Sequence, residues 1–149
     1  MIRSTSTSPA PDAVRLGYLA LLPFALGAVL VWFAPVEWSA RAGAAMSAYA
    51  AVVVSFIGGI YWGLGFQQND PQKALFVWGV LPSLVAASAL MLPPAAALVV
   101  HSAMLVVCYL VDRKFYPANG IGVYLPLRLR LTFGAVIGCC AAAFGIGMV

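Results

Sequence analysis

Between Lys73 and Asp112 the chain runs thirty-eight residues without a charged side chain, broken near its middle by Pro93-Pro94. A helix rises about 1.5 Å per residue and a bilayer's hydrocarbon is about 30 Å thick, so this run is long enough for two crossings joined by a turn. Three more uncharged runs frame it: Leu16 to Val36, Ala42 to Asn69 and Leu131 to Val149. Each is close to or above the roughly 20 residues of one crossing. Lipid offers no partner for a free N–H or C=O, so such runs must be helical rather than open sheet or loop. The expected architecture is an all-α integral membrane protein, a bundle of five transmembrane helices at about 16–35, 44–66, 75–92, 95–111 and 127–148.

Composition agrees with a chain solvated by lipid. Of 149 residues 64% are hydrophobic and 8% charged, against about a quarter charged in ordinary soluble domains. The longest stretches that are not apolar are the first fifteen residues and Asp112 to Arg130, so a single membrane domain, 16–149, is expected. Residues 1–15, rich in Ser, Thr and Pro, read as a disordered tail. A cleaved signal peptide is the rival. The apolar run after Arg15 exceeds a typical signal core, and Pro35 follows it where small residues would be wanted. The net charge of +4 does not imply nucleic acid, because no Lys/Arg cluster is interleaved with aromatics and the cations flank apolar spans.

Those cations set an orientation. Arg3, Arg15, Lys73, Arg113, Lys114, Arg128 and Arg130 fall on one side of the five-span scheme and Arg41 alone on the other. The positive-inside bias then puts the N-terminus in the cytoplasm and the C-terminus in the periplasm, which localises a bacterial protein to the cell inner membrane. Trp32 and Trp38 are expected near the outer interface, Trp62 and Trp78 near the inner one. Pro23 and Pro82, each preceded by Leu, lie at similar depth in the first and third spans and mark possible kinks.

A few residues stand out from the spans. Ser55, Gly59 and Gly63 recur every four residues on the second span, and Gly134, Gly138 and Ala142 do so on the fifth. Small-residue stripes let backbones approach, which predicts that these two spans pack together or that one of them pairs with a second copy. His101 is the only histidine and sits mid-span, where an ionisable group is a functional candidate by default. Its plain reading is a neutral imidazole bonded to Ser83, Ser88 or Tyr49. Tyr61 and Trp62, beside Gly58-Gly59, and Ser83 complete a candidate polar or ligand site together with His101 and Asp112. Arg128 and Arg130 lie in the first turn of the last span, where the helix dipole disfavours cations, so they call for an anion: lipid headgroup phosphates or Asp112. No spacing suggests a metal, a cofactor or a catalytic set. Cys108, Cys139 and Cys140 form no Cys-x-x-Cys, and the four acids fall outside the expected spans.

Leu16-Gly17 with Pro23-Phe24, the run from Tyr49 through Ser55-Phe56-Ile57-Gly58-Gly59-Ile60-Tyr61-Trp62-Gly63, Pro82-Ser83, and Tyr124-Leu125-Pro126-Leu127-Arg128-Leu129-Arg130-Leu131-Thr132 carry a family resemblance. The chain resembles, from about residue 15 onward, the bacterial and mitochondrial membrane proteins grouped as domain of unknown function 3429, which include transmembrane protein 69. That family often has His at the position of Tyr61, so an imidazole-based role there does not transfer. The resemblance implies a small multi-spanning protein and no agreed activity. The expected role is that of a non-enzymatic accessory or assembly factor, in contact with membrane lipids and with copies of itself or a larger membrane complex. The alternatives are a small-molecule or lipid transporter with a cytoplasm-facing cavity, and a lipid- or quinone-modifying enzyme built on Arg128, Arg130, Asp112 and His101.

Overall fold

A computed structural model describes residues 8–148. Six α-helices follow in order: α1 (Pro11–Leu19), α2 (Leu22–Phe33), α3 (Val36–Phe66), α4 (Lys73–Ala89), α5 (Pro94–Ala118) and α6 (Leu125–Gly147), with one 3₁₀ turn, Gly122–Tyr124, before the last. Among the described residues there is no strand. Four helical stretches, Pro11–Phe33, Val36–Phe66, Pro94–Ala118 and Gly122–Gly147, are long and apolar enough to cross a membrane. The hairpin α4–α5 is present, but its first arm is an apolar helix of only 17 residues.

Side-chain contacts group the helix ends. Tyr61 near the end of α3, Leu75 at the start of α4 and Tyr116 near the end of α5 form one buried cluster, against which Tyr124 and Leu125 at the start of α6 pack. The backbone N–H of Ala10 also donates to the Tyr124 hydroxyl there, at 3.4 Å. At the opposite end the Trp32 indole N–H on α2 donates to the Ala141 carbonyl on α6, at 3.0 Å. Five rods, with α1 and α2 counted as one, therefore run between the same two ends.

The boundaries depart from the sequence expectation for local reasons. The tail assigned to residues 1–15 is helical from Pro11, where proline suits the first helical turn and Asp12 complements the dipole; residues 1–7 lie outside the described residues. Pro23 breaks the first rod at Ala20–Leu21, and the Tyr49 hydroxyl donates to the Ala20 carbonyl at 2.9 Å, covering an acceptor at the break. Pro82, by contrast, is buried inside a continuous α4. The second span begins at Val36 rather than near 44, because Pro35 caps it and Glu37 enters its first turn. α5 does not stop at Val111 but runs to Ala118. It closes with Gly120 at φ +74°, whose N–H reaches the Pro117 carbonyl while that of Ile121 reaches Tyr116. These two bonds satisfy the helix's last carbonyls.

The core is built from small side chains. Ala50, Ala51, Ala86, Ala89, Ala97, Ala135 and Ala142 are buried beside Phe24, Val54, Ile57, Leu98 and Leu105. Within lipid the hydrophobic effect does not hold helices together, so close backbone approach must supply dispersion contacts. At the crossing of α3 and α4 a Cβ on Gly58 would sit 2.5 Å from the Gly79 carbonyl oxygen, and one on Gly79 would strike Trp62. Only glycine fits there.

Candidate functional site

Among the described residues the one fully buried charged group is Asp112, and its helix explains why. Leu105, Cys108, Asp112 and Tyr116 follow a helical period along the face of α5 that is turned inward, while Arg113 and Lys114 are exposed. The carboxylate is 0% exposed. A bare ion in that position would carry a large desolvation cost. Three groups from two other helices offset it. The Tyr61 hydroxyl on α3 donates to Oδ1 at 2.6 Å. The Nε–H of Arg128 on α6 donates to Oδ2 at 2.8 Å. Arg128 Nη2 also lies 2.8 Å from Oδ2, but without the alignment of a hydrogen bond, so this second contact is ionic and leaves an Nη2 donor unpaired. Arg128 itself is 12% exposed, and the pair closes off a polar node in an apolar bundle.

Aromatic rings wall the node. Tyr61 meets Phe115 edge-on at 5.7 Å between centroids and Trp78 at 6.4 Å, with Tyr116 also at 6.4 Å. The Trp78 indole N–H is buried without a partner among the described residues. Just beyond the node, Gln68 donates to the Asn119 side chain at 2.6 Å, which ties the end of α3 to the end of α5.

Of the residues the sequence singled out, Tyr61, Asp112 and Arg128 meet at this node. The others lie elsewhere. Arg130 is exposed, so the anion demanded by the first turn of α6 is Asp112 for Arg128 only. His101, on the same helix as Asp112 but eleven residues earlier, is about 16 Å away along the axis. It bonds none of Ser83, Ser88 or Tyr49; its Nε2 reaches the Ala86 carbonyl at 3.3 Å, one of the last acceptors of α4, and so carries the proton there. Its Nδ1 is buried without a partner among the described residues. Trp62 donates to the Phe76 carbonyl at 3.0 Å and covers Gly79. Ser83 lines a shallow outer groove between α3 and α4 with Ser55 and Phe56. Tyr61 is therefore buried in the node, away from the groove that Ser83 lines.

The small-residue stripes divide as well. Gly134 and Gly138 on α6 do pack closely, but against Leu21 and Phe24 on either side of the Pro23 break, and Ala142 is buried beyond them. On α3 the inward face is Ala50, Val54, Gly58, Tyr61 and Gly65, whereas Gly59 and Gly63 look outward with no atom near enough to touch a Cβ. α3 and α6 do pack together, Gly138 beside Met46 and Gly43 beside Ile146, but not stripe against stripe, since α3 turns a neighbouring row toward the bundle.

Arg128 and Thr132 also border a cleft of about 510 Å³ between α1–α2, α3 and α6. Among the described residues no group of three or more His, Cys, Asp or Glu side chains is placed to hold a metal ion.

Residues 9–144 match the family described as "Protein of unknown function (DUF3429)". The chain belongs to the DUF3429 family. Over 89 residues this DUF3429 chain is also 32% identical to the "Calpain-type cysteine protease DEK1" of Zea mays, a stretch that is 55% of this chain and 4% of that protein. The chain thus spans a small fraction of the maize protein, whose protease name describes that protein. No solved structure matches.

Proposed function

We propose that this DUF3429 protein is a five-crossing protein of the bacterial inner membrane that acts by binding, as a non-enzymatic accessory or assembly factor for a membrane complex or for copies of itself. The observation that carries this reading is the closed Tyr61–Asp112–Arg128 node: the one buried carboxylate among the described residues is neutralised by its own bundle, so it holds helices together rather than standing open to a substrate. Gly59 and Gly63, exposed on α3 in line with the half-buried Ser55, offer a second helix a close approach. Orientation follows from the cations. Arg15, Lys73, Arg113, Lys114 and Arg130 are all exposed at the end where the N-terminus of α1 meets the node, which favours a cytoplasmic N-terminus and a periplasmic C-terminus.

The test is lateral association. Energy transfer between donor- and acceptor-labelled copies in vesicles, and in-cell cross-linking to other membrane proteins, are compared for the wild type and for Gly59→Leu with Gly63→Leu. Loss of association without loss of fold is the expected result. A lone monomer whose neighbours and stability are unchanged by both substitutions refutes the reading.

A further inference from the structure

We infer that the cleft between α1–α2, α3 and α6 is a binding site for a neutral lipid, a hydrocarbon chain that ends in a carbonyl acceptor held by Arg128 and Thr132. Its volume of about 510 Å³ falls within the range of small-molecule sites, about 300–1,000 Å³. Its shape is that of a chain rather than a sphere. Lining residues on α3 run from Ile60 to Tyr49, eleven positions, or about 16 Å of helix, which is close to the depth of one leaflet. The walls are apolar along that length, with Leu21, Phe24 and Val53 toward the deep end.

Polarity is confined to the end that faces the cytoplasm in the proposed orientation. Arg128 and Thr132 border the cleft there, one helical turn apart on α6. Thr132 is 6% exposed and its Oγ1 has no partner among the described residues. Arg128 Nη2 lies 2.8 Å from Asp112 Oδ2 without an aligned hydrogen bond, and that one contact does not take up both of its N–H groups. Buried polar groups normally have partners, so two such groups at the head of one cleft specify what enters. An arginine offers only donors and a threonine hydroxyl can offer one, so the ligand's polar end must accept hydrogen bonds. Tyr49 is not available to bond it, since its hydroxyl is committed to the Ala20 carbonyl.

Charge selects among acceptors. Asp112 already balances Arg128, so a phosphate or carboxylate would share that guanidinium with a carboxylate a few ångströms away and would be repelled by it. A quinone or ester carbonyl carries no net charge and meets no such repulsion. The inference requires that the chain sits in a bilayer and is independent of any partner protein.

The experiment uses the full chain, delipidated and held in neutral detergent, with ligand retention read by native mass spectrometry. The probes are a decyl-chain benzoquinone, dioleoylglycerol and dioleoylphosphatidylglycerol. One equivalent of the quinone or of the diacylglycerol is expected to remain bound, the preferred one naming the source of the carbonyl, with phosphatidylglycerol at least about tenfold weaker. Thr132→Val deletes the hydroxyl at constant shape. It is expected to weaken retention about 3- to 10-fold, the worth of one hydrogen bond, while the unliganded protein unfolds at the same or a higher midpoint, because that hydroxyl bonds nothing in the chain. Val53→Phe fills the cleft and is expected to abolish retention; if it fails to fold, Ala20→Phe at the exposed mouth gives the same readout. Phosphatidylglycerol binding as tightly as the neutral probes overturns the choice of ligand. Absence of one-to-one retention, or wild-type retention in both the Thr132 and the cleft-filling variants, overturns the site.

Discussion

Removing the guanidinium at Arg128 tests the node most directly. In Arg128→Met the Asp112 carboxylate stays 0% exposed with only the Tyr61 hydroxyl on Oδ1, and Oδ2 loses its partner. Stranding one member of a buried ion pair costs about 3–5 kcal/mol. A Coulomb estimate agrees in scale, since unit charges about 4 Å apart at an effective dielectric constant near 20 interact by about 4 kcal/mol. The double variant Asp112→Leu, Arg128→Met strands nothing. Its cost should fall to about 1–2 kcal/mol, chiefly the lost Tyr61 bond, because apolar replacement of a whole buried pair is often neutral. Reversible unfolding of the purified protein in mixed micelles, with increasing denaturing detergent, gives all four corners of the cycle. A coupling energy of about 2 kcal/mol or more is expected. If each single variant costs under about 1 kcal/mol, or if the two costs simply add, the pair is not desolvated and the closed-node argument fails.

Tyr61→Phe keeps the ring contacts and removes one hydrogen bond to a charged group, so it should cost about 1.5–3 kcal/mol in the same assay; a change below about 0.5 kcal/mol would mean the hydroxyl is solvated instead. The adjacent glycines of α3 should respond oppositely. Gly58→Ala drives a methyl into the Gly79 carbonyl and should destabilise by about 1–3 kcal/mol, whereas Gly59→Ala meets nothing and should be neutral or stabilising by up to about 1 kcal/mol; equal responses would refute the assigned rotation of α3. Ser39→Ala should cost about 1 kcal/mol, since its hydroxyl covers the Val31 carbonyl at 2.9 Å near the end of α2.

Charge-free runs were enough to place five helical rods, because lipid leaves a chain little choice but helix. They were a poor guide to where helices end. Asp112, Arg113 and Lys114 look like the edge of a span when read as composition, and the helix continues through them to Ala118. The signal that would have found this was periodic: Leu105, Cys108, Asp112 and Tyr116 keep helical spacing past the charges, and Arg113 and Lys114 fall on other faces. The stripes on α3 failed for a related reason. Small residues fill two adjacent rows there, Ala50 with Gly58 and Gly65, and Ser55 with Gly59 and Gly63, and sequence spacing alone cannot say which row faces a neighbour. That choice rests on Gly79 of α4 and on Trp62, one turn further along α3.

Asp112 and Arg128 show how such a node forms without any local motif. Fifteen residues lie between them, and each alone is unfavourable where it stands: the acid is fully buried, and the base lies in a helix's first turn, against the dipole. Together they cancel both penalties, because the Schellman turn at Gly120 and the short 3₁₀ turn bring the end of α5 against the start of α6. A local conflict at one helix end is therefore a pointer to the compensating conflict at the next. It follows that the connection between the two helices is part of the node: replacing Gly120, at φ +74°, by a β-branched residue should cost more than its exposed position suggests, and should lose that excess in the Asp112→Leu, Arg128→Met background. Micelle unfolding of Gly120→Val in both backgrounds measures the difference, and an equal cost in the two would separate the turn from the ion pair it is argued to position.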